Sequence, residues 1–275
     1  MQVRVRPGAQ DEAARRAALV KALVHAGSSG VVEDGLSLVG YLPEDADQAA
    51  IGASLARADD TATIEFCATV PDNWVERWRE GVRAHELGLL RVSPPWLAHA
   101  GDEARTVVID PGMGFGTGEH ASTRGVLRLL SSLERMGDLV ADLGAGSGVL
   151  AIAAAKLGAG RVAAIEMDPD AIANAQSNVE SNHVADRVSI IAGDARALLP
   201  LLAPVDLVTV NIVSSVIAEL LPIVHEALVP KGRAILGGML LDEREAMCER
   251  LAAAGWRREA DDVEDDWWAT IAARP

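Results

Sequence analysis

The sequence predicts an α/β protein, an open and mostly parallel sheet of seven strands preceded by a small α+β module. Three observations predict it. Five short apolar runs alternate with helical stretches between residues 139 and 238, the pattern of βαβ units. The glycine turn Gly144-Ala-Gly146-Ser-Gly148 joins the first of these runs to a helix. The first 70 residues change period in a different order, strand, helix, two strands, helix, strand.

A chain of 275 residues allows one or two domains and a sizeable core. Hydrophobic residues make up 49% and aromatics only 3%, so helices should pack closely on Ala and Gly. A formal charge of −15 argues against a protein built to grip phosphate backbones. It suits a basic partner, or serves solubility alone. Cys67 and Cys248 lie far apart, neither at metal-ligand spacing, and both read as buried apolar residues; no metal is expected. Lys156 and Arg161 interrupt the longest apolar run before it reaches the length of a membrane span. The N-terminus has no signal-peptide hydrophobic region. The expectation is a cytoplasmic monomer that contacts neither membrane nor nucleic acid directly.

In the front module, Val3-Arg-Val-Arg6 alternates like an exposed-edge strand, and Asp11 to His25 carries the helical pattern Ala14, Ala18, Leu19, Ala22, Leu23. After Gly27-Ser-Ser-Gly30, residues Val31 to Tyr41 read as a hairpin turning near Glu33-Asp34-Gly35. Asp45 to Arg57 is a second helix with acid in its first turn, where the dipole favours it. Thr61 to Val70 alternates as a last strand. That order is the ferredoxin-like arrangement, predicted as a domain over residues 1–70.

Residues 71–100 are predicted to connect the domains. Trp74 and Trp78 share a helical face there, either sealing the junction or touching substrate. Val82 to Trp96 reads as a hairpin or extended segment ending at Pro94-Pro95.

The main domain, 101–275, opens with strand Thr106 to Asp110 and the glycine-rich loop Pro111 to Thr123, suited to lie over a ligand. His120 in that loop reads as a hydrogen-bonding residue rather than a base or metal ligand, and Ser122 or Thr123 as the cap of helix Thr123 to Leu133. Strand Leu139 to Asp142 then enters the glycine turn. Glycine is needed there because a side chain would hold a ligand off the backbone and because such turns require φ > 0. The glycines are spaced one residue tighter than the dinucleotide fingerprint, which favours a nucleoside without a diphosphate. Strand Arg161 to Ile165 ends in Glu166, whose carboxylate can accept both ribose hydroxyls. Together these features fit S-adenosylmethionine, with Gly144, Gly146 and Glu166 as cofactor contacts. A nicotinamide-dependent oxidoreductase is the alternative, for which the third glycine is misplaced.

Helix Asp170 to Asn182 and strand Arg187 to Ile191 follow. Asp194 lies just past that strand, where it meets an adenine amino group or caps the next turn. Strand Asp206 to Val210 closes on Asn211, at the carboxyl end of a central strand where open α/β sheets bind ligands. Its carboxamide can both accept from an amine and donate; alternatively it shapes the turn. Helix Val216 to Leu228, a turn at Pro230-Lys-Gly232, strand Arg233 to Gly238, helix Arg244 to Ala254 and a hairpin from Trp256 to Ala273 complete the chain.

Three stretches, Asp110-Pro-Gly-Met-Gly-Phe-Gly-Thr-Gly-Glu-His120, Asp142 to Gly158 and Asn211-Ile212, resemble the PrmA-type methyltransferases of ribosomal protein L11. The resemblance implies a seven-stranded Rossmann-like methyltransferase sheet, S-adenosylmethionine held at Thr123, Gly144, Glu166 and Asn211, and methyl transfer to lysine ε-amines and the α-amine of L11. Glu119 stands where the family has Thr or another small residue, Ala121-Ser-Thr123 replaces Pro-Thr-Thr, and Glu166 replaces the commoner Asp. A related branch, which methylates lysines of an electron-transfer flavoprotein subunit, shares a similar loop. The transfer needs a neutral amine, and free lysine has a pKa of about 10.4. Burial beside a sulfonium disfavours the ammonium form, so Asn211 is expected to act in catalysis by orienting the lone pair.

Overall fold

The computed structural model describes residues 2–8, 12–28, 30–34, 37–43, 46–67, 82–98, 101–110, 118–134 and 136–275, which form two compact units, 1–80 and 81–275. The expected loop over 111–117 and both Trp74 and Trp78 lie outside the described residues.

The first unit contains β1 (Gln2–Arg6), α1 (Glu12–His25), β2 (Gly30–Asp34), β3 (Ser37–Tyr41), α2 (Gln48–Ala58) and β4 (Thr63–Cys67). Its antiparallel sheet has the ferredoxin-like order β2-β3-β1-β4. The strand read as an edge is central: β1 pairs with β3 on one side and β4 on the other, opposing Val3 to Phe66 and Val5 to Ile64. Val3 and Val5 are fully buried while Arg4 and Arg6 face solvent. Alternation reports which face is covered and is silent about the edges. Leu19, Leu23 and Leu55 from the helices close that face. The acid expected in the first turn of α2 is its cap instead, Asp47 accepting from the N–H groups of Ala49 and Ala50. Cys67 is exposed, contrary to the sequence reading, because it shares the outer face of β4 with Thr63 and Glu65; Cys248 is half-buried.

In the second unit β5 (His85–Leu87), β6 (Leu90–Ser93) and β7 (Thr106–Val108) form a small sheet of their own. The main sheet has seven strands in the order β10-β9-β8-β11-β12-β14-β13: β8 (Leu139–Leu143), β9 (Arg161–Glu166), β10 (Val188–Ala192), β11 (Val205–Asn211), β12 (Leu228–Leu240), β13 (Arg257–Glu264) and β14 (Trp267–Ala273). Strands β8 to β12 run parallel, and β14 is antiparallel to both neighbours. The helices are α3 (Ala121–Ser131), α4 (Val149–Lys156), α5 (Pro169–Ser181), α6 (Ala195–Leu202), α7 (Ser214–Ala227) and α8 (Arg244–Ala253). Two apolar layers sandwich the sheet, one around Ile152 and Leu127, the other around Val208, Leu236 and Trp268.

Three details depart from the sequence reading. Helix α6 lies between Asp194 and Asp206, where the sequence reading has no element, and it runs through Pro200. The turn expected at Pro230-Lys-Gly232 is a bend within β12, where Lys231 takes a left-handed φ of 64° and pairing with β11 shifts register. Helix α3 is capped by neither Ser122 nor Thr123 but by His120, whose Nδ1 accepts from the Ser122 N–H at 3.3 Å.

The chain winds from β8 outward through β9 to β10, then returns to β11 on the other side of β8 and proceeds to β12. The reversal opens a crevice at the carboxyl ends of β8 and β11, the position at which such sheets bind ligands.

Candidate active site at the switch point

The glycine turn occupies one wall of this crevice. Gly144, Gly146 and Gly148 have φ values of 72°, 54° and 81°, in the left-handed region that a side chain disfavours. The N–H groups of Gly144 and Ala145 both donate to Ile165 O, at 2.9 and 3.1 Å, locking the turn against β9. A Cβ on Gly144 would lie 2.8 Å from Ile212 Cγ2, so Ile212 packs this close to the turn only because the residue is glycine.

Glu166, the last residue of β9, is tied to the same turn. Its Oε2 accepts from the Gly146 N–H at 2.8 Å, and its Oε1 from the N–H groups of Met167 and Asp168 at 2.8 and 3.0 Å. A carboxylate offers about four lone-pair sites, so backbone amides fill most of them and fix its orientation.

Asn211, the last residue of β11, forms the opposite wall. Its Nδ2 donates to Thr123 Oγ1 at 3.1 Å, while its Oδ1 is buried without a hydrogen-bond partner among the described residues. Thr123 is fully buried behind it. Gly237, paired with Asn211 across β12, makes the room: a Cβ there would meet Asn211 Oδ1 at 3.2 Å and Val126 Cγ2 at 2.2 Å.

A cavity of about 320 Å³ lies between these walls, lined by Gly144, Gly146, Glu166, Met167, Asp194 and Asn211 among others. That volume is within the range of small-molecule sites. Of the two readings of Asp194, the cap is made: Oδ1 accepts from the Arg196 N–H at 2.8 Å and starts α6, with the residue still on the cavity wall. The crevice thus brings together Gly144, Gly146, Glu166, Asp194 and Asn211, with Thr123 one hydrogen bond behind.

Helix α3, which carries Thr123, is held by ion pairs to β13. Arg124 bonds Glu264 and the carbonyl of Glu119; Arg128 reaches Asp262 Oδ2 with its Nε at 2.8 Å and Glu264 Oε2 at 2.7 Å. Arg124 and Arg128 together hold the Glu264 carboxyl below the usual carboxylate range. His120 makes the loop hydrogen bonds read from the sequence, Nδ1 lying 2.8 Å from Ser122 Oγ, and its ring meets Trp267 edge-on at 4.5 Å. Burial, then the charge of Arg124, keeps this imidazole below its ordinary pKa. Glu119 reaches His85 Nε2 at 3.1 Å and the Arg83 N–H at 3.2 Å.

Beneath the glycine turn Asp142 is completely buried, one oxygen accepting from Thr209 Oγ1 at 2.7 Å. Burial pushes its carboxyl up to about 7, against the opposing pull of the Thr209 hydroxyl.

The sequence reading missed Asn174 and Asn178 on α5 and Asn182 at its C-terminal cap. Val108 exchanges both backbone hydrogen bonds with the Asn182 carboxamide, at 2.9 and 2.5 Å, and the Asp110 N–H donates to Asn178 Oδ1 at 2.9 Å. Asn174 Nδ2 donates to Asp110 O at 3.2 Å. Asparagine recurring at every fourth position on one helical face is the signal that could have found them.

The strand order, the switch-point cavity, the glycine turn and the acidic strand tip together define a Rossmann-like methyltransferase that uses S-adenosylmethionine. Residues 9–275 match the family model of ribosomal protein L11 methyltransferase (PrmA), and the chain belongs to that family of protein methyltransferases. It is 41% identical over 196 residues to the ribosomal protein L11 methyltransferase of Thermus thermophilus, covering 71% of this chain and 75% of that one. To the enzyme of the same name from Pelotomaculum thermopropionicum it is 38% identical over 250 residues, 88% of this chain and 80% of the relative. Among solved structures it resembles the ribosomal protein L11 methylase of Lactobacillus delbrueckii subsp. bulgaricus, with a TM-score of 0.62 and 25% identity over 70% of this chain and 99% of that one.

Proposed function

We propose that this enzyme methylates amino nitrogens of ribosomal protein L11, the ε-amines of lysines and the N-terminal α-amine. The observation that carries the reading is Asn211, a residue of the cavity wall whose buried acceptor oxygen has no partner among the described residues and whose amide end is already fixed by Thr123.

The residues present fit the cofactor. The glycine turn, in the left-handed region at Gly144 and Gly146, lines the cavity with backbone, and the Glu166 carboxylate is held in place at the rim. Gly144, Gly146, Glu166, Asp194 and Asn211 would hold S-adenosylmethionine, Glu166 through a ribose hydroxyl at the acceptor position its three amide bonds leave open and Asp194 through the adenine amino group; Thr123 acts through Asn211. When bound, S-adenosylmethionine supplies a methyl group on a positively charged sulfur.

Asn211 Oδ1 accepts one N–H of the incoming amine and so aims its lone pair at the methyl carbon. A carboxamide cannot take the proton, so the amine has to arrive neutral. Apolar lining from Leu143, Ile165 and Ile212 and the nearby positive charge both favour the neutral form. The acceleration then comes mainly from alignment, which is able to supply several kcal/mol. We assign substrate recognition to the ferredoxin-like residues 1–70. The excess of acid suits a basic protein substrate.

The test is methyl transfer from labelled S-adenosylmethionine to purified L11, to an electron-transfer flavoprotein subunit and to ribosomal RNA, with the modified residues mapped by mass spectrometry. Label on lysine and N-terminal nitrogens of L11 is expected. Label on RNA or on the flavoprotein subunit in its place would overturn the assignment.

A further inference from the structure

We infer that Asn178 is a positioning residue that couples the glycine turn to the root of the loop after β7. Strand β7 pairs with β6 along one edge; on its other side lie the carboxamides of α5, which stand in for a neighbouring strand. Asn182 serves Val108 and the Asn178 carbonyl, Asn174 serves Asp110 and the Asn178 carboxamide, and neither has a hydrogen bond to the glycine turn among the described residues. Asn178 differs from them.

Its Oδ1 accepts from the Asp110 N–H at 2.9 Å, and its Nδ2 donates to Ser147 O at 3.0 Å in a bond buried at both ends. Ser147 sits between Gly146 and Gly148 in the turn that lines the cavity, and Asp110 is the first residue of the Asp-Pro-Gly loop. Asn178 is only 1% exposed, so neither bond is exchanged for water without cost. One planar carboxamide, rigid between its two atoms, therefore fixes the distance between the turn and the loop root. Asparagine alone supplies an acceptor for one backbone strand and a donor for another at this length; aspartate has no N–H, and glutamine is one methylene longer.

The inference rests on the donor site proposed above, and Asn178 acts on it through Ser147 and Asp110 without touching the ligand. The experiment compares Asn178→Ala with Asn182→Ala. Both lose carboxamide bonds to the same backbone segment, and only Asn178→Ala releases the glycine turn. Binding of S-adenosylhomocysteine is measured by calorimetry, with KM for S-adenosylmethionine, kcat and the melting temperature alongside. Both variants should melt lower. Only Asn178→Ala should weaken S-adenosylhomocysteine, by about tenfold, with KM rising in parallel and Asn182→Ala staying within about twofold of wild type. Should Asn178→Ala fail to fold, Asn178→Asp keeps the acceptor for Asp110 and removes the donor to Ser147, and the same weakening is expected. Equal effects of the Asn178 and Asn182 variants on ligand affinity, or none from either, would overturn the inference while leaving the donor site standing. A wild-type protein that takes up no S-adenosylhomocysteine would overturn the donor site, and this inference with it.

Discussion

Asn211 and Thr123 meet behind the crevice wall at 3.1 Å, carboxamide donating to hydroxyl, with the other end of the carboxamide buried and unpaired among the described residues. A buried acceptor without a partner costs about 1–3 kcal/mol. The fold retains that cost at the carboxyl end of a central strand, beside a cavity, where an incoming N–H would relieve it.

Replacing Asn211 by Ala should therefore lower kcat on the order of a hundredfold while changing S-adenosylhomocysteine affinity only a few-fold. Steady-state rates set beside calorimetric binding separate the two effects. If affinity and turnover fell by the same factor, Asn211 would be a ligand contact with no share in orienting the amine.

Asp142 gives a pH signature. Its folded carboxyl lies at about 7 against an ordinary 3.8, so the native state holds a proton that the unfolded chain releases. Its contribution to stability is complete below the ordinary value and is lost as pH rises towards 7. Asp142→Asn removes this dependence. Compared with the variant, the wild type should lose stability between about pH 4 and 7, by at most a few kcal/mol, as followed in denaturant melts across that range. A difference between the two proteins that does not change with pH would show that Asp142 is already ionised.

Glu264 has the opposite sign. Arg124 and Arg128 hold its pKa down, so its stabilisation is present at neutral pH and is lost as pH falls through the carboxylate range. Glu264→Gln should cost about 0.5–1 kcal/mol at pH 7, discounted for its partial exposure, and progressively less in acid. Because the pair braces the helix bearing Thr123, kcat should fall more than the loss of stability alone explains. A normal kcat in the variant would confine the ion pairs to a structural role.

Gly238 lies beside Asn211 with a φ of 79°, and a Cβ there would come within 2.4 Å of Ile212 O, a backbone atom with nowhere to move. Gly238→Ala should destabilise by about 2–4 kcal/mol and push Ile212 and Asn211 out of place. Gly255→Ala, at a similar φ of 80° but with nothing within 4 Å, should cost less and leave activity unchanged. Equal melting temperatures for the two variants would show that strain outweighs the clash.

Much of this architecture was legible because its signals are local. The glycine turn, Glu166 at a strand tip and Asn211 at another each follow a short apolar run, and that sequence of features recurs wherever a parallel sheet presents its carboxyl ends. What escaped the reading is relational. The alternation of Val3 and Val5 shows a covered face, yet the pairing of β1 on both edges depends on β4, some sixty residues away. His120 rather than Ser122 caps α3 because its ring is set beside Trp267 from the far end of the chain. Asn178 was hidden because the partners that give its carboxamide meaning, Asp110 and Ser147, are distant in sequence.

A crystal structure with S-adenosylhomocysteine tests the central claim most directly. The ligand is expected in the cavity between Gly144 and Asn211, with a ribose hydroxyl on Glu166 and its sulfur facing Asn211. The same ligand seated elsewhere, with that cavity filled only by water, would contradict the account.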